Sequence, residues 1–176
     1  MAEKSEQSKP AIIHWFRDVT TDSVDALIDE ILVKNEENGG AGVKLYMSSP
    51  GGDLSAATHF LQIIRHLVPR LQTVATYDVS SAGTMIFLAG RERLAFPRAR
   101  FLFHEVRDTG KFRGANEQYI RGVADDLAES QRIMVETVAE IIGKTPEEIL
   151  AICKEDKPIG TDKALEIGLI QKVLKE

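Results

Sequence analysis

Three short stretches of this chain hold residues that could do chemistry together. Ser48-Ser49-Pro50-Gly51-Gly52-Asp53 closes an apolar run from Val43 to Met47. In Val79-Ser80-Ser81-Ala82-Gly83-Thr84-Met85, a serine opens an apolar run that lasts to Ala89. In Arg100-Phe101-Leu102-Phe103-His104, a histidine ends an apolar run just before a polar stretch. A glycine turn can offer bare backbone N–H groups. A serine at a helix N-terminus has more of them beside it, and the N–H of Ala82 lies where a tetrahedral oxyanion would form. Serine needs a base to become a nucleophile, and a histidine at a strand end can be that base. The chemistry within reach of these parts is acyl transfer.

Each part also has an ordinary use. Pro-Gly pairs mark plain turns, and Ser80 or Ser81 could serve only as a helix cap. His104 is the candidate base, because His14 lies in a predicted strand and His59 and His66 share one helix face. A base needs an orienting acid. Asp156, in a turn before Pro158, competes for that role with Asp53, Asp78, Asp108 and Glu105. No His, Cys, Asp and Glu cluster has metal-ligand spacing, and no cofactor is implied.

Alternating strands and helices must position these residues. Ala11 to Phe16 reads as a first strand. A helix comes next, with Val24, Leu27, Ile28, Ile31 and Leu32 in one apolar stripe. Val43 to Met47 is a second strand, and the next helix carries Leu54, Ala57, Leu61, Ile64 and Val68 before Pro69 stops it. Leu71 to Tyr77 is a third strand. Ser81 to Ala89 is apolar all round, which predicts a buried central helix. Arg91 to Phe96 and Arg100 to Phe103 are short strands separated by Pro97, and Glu105 to Gly114 is a polar loop. Asn116 to Ile142 is a helix about 40 Å long, longer than a small domain needs for its own core, so part of it should project and meet another subunit. Thr145-Pro146-Glu147-Glu148 opens another helix through a capping box. Thr161 to Ile167 is a last short helix and Leu169 to Leu174 a last strand. The alternation predicts an α/β fold with a mostly parallel sheet.

Bulk properties narrow the function classes. The chain has 176 residues, 43% of them hydrophobic and 28% charged, which suits one globular domain with a real core. A net charge of −5 without basic clusters argues against a nucleic-acid partner. No run approaches the length of a membrane span, and the polar start lacks the apolar core of a signal peptide. Residues 1–10 read as a disordered tail and 11–176 as a single domain. The single Cys153 suits a reducing, cytoplasmic compartment.

The strand with Ser49-Pro50-Gly51-Gly52, the Ser81-Ala82-Gly83 helix start, Arg100 to His104, and the stretch from Asp156 through Ala164 to Ile170 together resemble the Clp protease proteolytic subunit family. The resemblance covers about Ala11 to Val173. It implies the ClpP/crotonase-like fold, a spiral of β-β-α units with a projecting handle helix, here the one from Asn116. It implies a serine endopeptidase with Ser81 as nucleophile, His104 as general base and Asp156 as acid. The N–H groups of Gly52 and Ala82 would form the oxyanion hole. It further implies a homo-oligomeric ring, hexamer or heptamer, stacked around a chamber that receives peptides or unfolded polypeptides. Two departures stand out. The residues before Ala11 are too few and too unlike the family's gate segment to support docking of an ATP-driven unfoldase. Tyr77, Asp78, Val79 and Ser80 replace small residues before the nucleophile, and Asp78 brings a carboxylate near it.

Three other readings compete. One is a non-catalytic assembly subunit, suggested by the missing gate segment. Another is a Ser–Lys peptidase of the same fold, which would need Lys111 or a later lysine. The last is a crotonase-type acyl-CoA enzyme, for which the chain is short and lacks suitably placed paired glutamates.

Overall fold

The computed structural model describes residues 9–108, 110 and 114–175. Most of the expected tail, Lys111 and part of the expected polar loop lie outside these residues. The chain divides into two compact units: one runs to Leu102 and resumes at Pro158, the other is Phe103–Lys157.

The first unit is built on a sheet. β1 (Ala11–Phe16), β2 (Val43–Ser49), β3 (Leu71–Ser80), β4 (Glu92–Ala95) and β7 (Lys172–Val173) lie in that order, all parallel. β3 is long because it serves two partners in succession. Its Gln72–Ala75 pairs with β4, and its Asp78–Ser80 pairs with β5 (Arg100–Leu102). The switch coincides with a register break against β2, where Met47 faces Ala75 but Ser49 faces Val79. Such a bulge bends a strand and re-aims the residues beyond it, which here lead directly into Ser81. β6 (Ile159–Gly160) adds to β5 antiparallel; at two residues it has no alternation to betray it in the sequence.

Three helices bury apolar faces in this unit. α1 (Thr21–Glu37) buries Val24, Leu27, Ile28 and Ile31, most of its predicted stripe. α2 (Leu54–Leu67) buries Ala57, Phe60, Leu61 and Ile64. α3 (Ala82–Leu88) buries every residue, as its uniform apolarity requires, and Phe87 meets Phe101 with ring centroids 5.2 Å apart. The last strand is shorter than the predicted Leu169 to Leu174. Leu169 and Ile170 instead donate their N–H groups to Ala164 in the turn after α6 (Thr161–Glu166), where they are buried. The apolar run reflects burial rather than extension.

The second unit centres on α4 (Glu117–Ile142) and α5 (Pro146–Glu155). α5 starts with the expected capping box between Thr145 and Glu148. α4 buries Met134, Val135, Val138 and Ala139, all in its C-terminal half, while Tyr119 and Ile120 are exposed. Its apolar stripe is continuous in sequence, but only its C-terminal half is buried among the described residues. No helix among the described residues is long and apolar enough to cross a membrane.

Candidate active site

The glycine turn is held from below by β2 and from the side by the β1–α1 connection. Ser49 is buried, and its hydroxyl accepts the Gly51 N–H at 3.2 Å. Val19 donates its N–H to the Gly51 carbonyl, and the Val19 carbonyl accepts from Asp53, each at 2.8 Å. These two bonds flank Gly52 in a parallel bridge and leave its own N–H outside the pairing. Gly51 and Gly52 have φ of 103° and 142°, and a side chain on Gly52 would start 2.1 Å from the Val19 carbonyl oxygen. Only glycine fits there. Asp53, a rival for the acid, is committed elsewhere: its carboxylate caps α2, accepting from Ser55 and Ala56.

Ser81 stands where β3 becomes α3. Its N–H donates to the Leu102 carbonyl at 2.8 Å, extending the β3–β5 pairing by one residue. Its carbonyl accepts from Thr84, from the N–H at 2.9 Å and the hydroxyl at 2.6 Å. The side chain makes no capping hydrogen bond, so Ser81 is not a capping serine. Its backbone is strained, with φ 53° and ψ −131°. A β-carbon on Gly51 would lie 2.6 Å from the Ser81 β-carbon and 3.1 Å from its hydroxyl oxygen, so the turn backbone packs directly against this serine. A serine on a sharp, strained strand-to-helix turn beside unpaired N–H groups is an arrangement suited to nucleophilic attack on a carbonyl.

Next to this corner is a cavity of about 330 Å³ lined by Pro50, Asp78, Ser80, Arg100, Leu102 and Pro158, among others. Asp78 is present as expected, but its carboxylate is not free. Arg100 grips both oxygens, Nε on Oδ1 and Nη2 on Oδ2, the latter at 3.0 Å. The guanidinium also sits 5.0 Å from the centre of the Tyr77 ring. The register that sets Asp78 beside Arg100 also sets Ser80 beside Leu102, so one strand pairing both neutralises the carboxylate and presents Ser81.

The second unit carries His104 and Asp156. The Nδ1 of His104 is 2.7 Å from the Glu105 carbonyl oxygen. A donor Nδ1–H in that bond leaves Nε2 as the unprotonated, basic nitrogen. Asp156 forms the C-cap of α5 in the left-handed conformation, and its carboxylate is paired with Arg107. Among the described residues no bond joins Asp156 to His104. The loop after His104 is tied to α4 by Gln131, whose Oε1 accepts the Val106 N–H at 2.6 Å. Arg107 and Gln131 had no motif to mark them in the sequence; the visible signal was only a cation three residues after the histidine. Cys153 is buried, and that burial pushes its thiol up to about 11, which makes it a poor nucleophile. Lys111, needed for the Ser–Lys alternative, is not among the described residues.

A parallel-sheet α/β scaffold with a strained serine and a glycine turn at adjacent strand ends is an arrangement suited to acyl transfer. The Clp protease family model matches residues 4–176, and the chain belongs to that family. It is 28% identical over 155 residues to the ATP-dependent Clp protease proteolytic subunit 1 of Tropheryma whipplei (strain Twist), covering 86% of this chain and 74% of that one. It is also 28% identical over 164 residues to the subunit 1 of Corynebacterium efficiens, covering 92% and 78%. The mixed α/β architecture with its parallel sheet is that family's fold.

Proposed function

We propose that this chain is a serine peptidase in which Ser81 is the nucleophile, His104 the general base and Asp156 the acid. One observation carries the reading. Among the described residues, the non-glycine residues with positive φ are Ser81 and Asp156. Strain of this kind costs about 1–3 kcal/mol per residue, persists where the surrounding structure over-determines it, and clusters at functional sites. Here it coincides with the hydroxyl- and carboxyl-bearing members of the triad.

In the proposed reaction the Nε2 of His104 takes the Ser81 hydroxyl proton as Oγ attacks the peptide carbonyl. The N–H groups of Gly52 and Ala82 receive the oxyanion, a contribution worth on the order of 10²–10³ in rate per donor. The imidazolium passes its proton to the leaving amine, and the acyl-enzyme forms. Water then repeats the sequence and releases the acid. Substrates are peptides or unfolded polypeptides admitted to a chamber inside a homo-oligomeric ring. The uncovered half of α4, with Tyr119 and Ile120 exposed, supports assembly through that helix. The proposal takes peptide hydrolysis as the activity and the cytoplasm as the compartment; ATP dependence is a property in the relatives' names.

A fluorophosphonate probe tests the assignment. The folded, assembled wild type gains one adduct mass and Ser81→Ala gains none. An unlabelled wild type overturns the reading and favours the second one, a non-catalytic assembly subunit, to which the Arg107–Asp156 pairing already lends an argument.

A further inference from the structure

The segment from His104 to Arg107 gives both titratable members of the proposed triad a different partner. His104 has the Glu105 carbonyl, and Asp156 has the Arg107 guanidinium. Asp156 occupies a place that disfavours an aspartate twice over. It holds φ 49° and ψ 43° at a helix C-cap, where glycine is the usual choice. Its negative charge also lies at the negative end of the α5 dipole. Arg107 offsets that charge, yet both side chains are about half exposed, at 58% and 46%, so the pair is readily exchanged with water and salt.

We propose that Arg107 is a positioning residue for Asp156. It holds the carboxylate in the resting subunit and releases it to His104 when the histidine takes up its role as base. This rests on the serine peptidase reading above. The exchange breaks two bonds, Arg107 to Asp156 and His104 to the Glu105 carbonyl. It forms one, from the His104 Nδ1–H to Asp156, while Arg107 returns to water. No proton or bond changes owner in the step. Because Nδ1 keeps its proton throughout, the resting arrangement already has the tautomer the base requires, and only the stabilisation of the imidazolium is withheld. The resting subunit is therefore slow rather than dead.

The test measures fluorophosphonate labelling rates at Ser81 and the kcat and KM of a short fluorogenic peptide on the assembled full chain. Wild type, Arg107→Gln and Arg107→Lys are compared at about 50 and about 300 mM salt, a range over which exposed pairs are progressively screened. Wild type should speed up with salt. Arg107→Gln should raise kcat at low salt by up to about fivefold with KM unchanged, the range open to an exposed pair, and should lose the salt response. Arg107→Lys keeps the charge and should keep the salt response. A labelled wild type whose Arg107→Gln variant shows the same kcat and salt response overturns this proposal alone. So does a lower kcat in Arg107→Gln that Arg107→Lys restores, since the cation would then be assisting the reaction. A wild type that takes no label overturns both this proposal and the peptidase reading.

Discussion

Ser81 and Asp156 share a backbone anomaly, φ of 53° and 49°, but the chain holds them in place by different means. Around Ser81 the restraints are backbone hydrogen bonds and burial. Leu102 and Thr84 bond its peptide groups, Gly51 and Ala82 on either side are buried, and α3 behind it is wholly buried. Asp156 also sits on a firm base, since its N–H donates to the carbonyl of buried Cys153 at 3.3 Å. Its carboxylate, by contrast, is held among the described residues by an exposed arginine. A nucleophile and oxyanion donors must be preorganised before substrate arrives, because reorganising them during the reaction would cost rate. An acid that only stabilises a cation can be brought in late. With the proposed roles, nucleophile for Ser81 and acid for Asp156, the difference between the two regions follows the difference between those two tasks.

The comparison can be tested by loosening or removing either side. The largest effect is expected from Asp156→Gly. Hydrolysis should fall on the order of 10²–10⁴-fold through loss of the acid. The variant should nonetheless be more stable by about 0.5–1 kcal/mol, because glycine suits the left-handed cap and no carboxylate faces the helix dipole. Denaturant melts beside peptide turnover check both halves. A destabilised variant would mean that Asp156 is there for the fold.

Gly52→Ala attacks the rigid side. Its new methyl group would begin 2.1 Å from the Val19 carbonyl, at φ 142°. A loss of about 2–4 kcal/mol of stability is expected, with Ser81 labelling reduced even in protein that remains folded. A variant as stable as wild type would show that the turn is softer than its bonds suggest.

The smallest effect concerns the base beneath Asp156. The Cys153 thiol is raised from 9.0 to about 11 by burial, with Glu105 adding to the shift. Between those values the unfolded chain has lost this proton and the folded chain keeps it, so stability falls as pH rises from about 9 to about 11 and the loss then levels off. Cys153→Ala should remove that part of the slope in denaturation series across this range, and the folded wild type should resist thiol reagents at pH 8.

Much of this was legible in the chain. The helix stripes of α1 and α2, the buried α3 and the capping box at Thr145 arise from periodicity and cap chemistry, which act within a few residues. Local pattern failed where long-range pairing decided. It did not reveal β6, which exists because β5 offers it an edge. It drew the last strand too long, because burial in a turn and burial in a strand leave the same apolar run. It left Asp53 and Asp78 as open candidates for the acid: Asp53 turned out to be a local helix cap, bonded two and three residues ahead, while Asp78 was committed to Arg100 by the pairing of distant strands.

By itself, then, the sequence determined which residues could do chemistry: the glycine pair, Ser81, His104 and a short set of acids. Those are matters of residue type and local conformation. Tertiary structure decided that Gly51 lies against Ser81, that the serine's hydroxyl caps nothing, and that Asp156 rests on Arg107. Each depends on which distant segments share a sheet edge or a loop, and no local energy term encodes that.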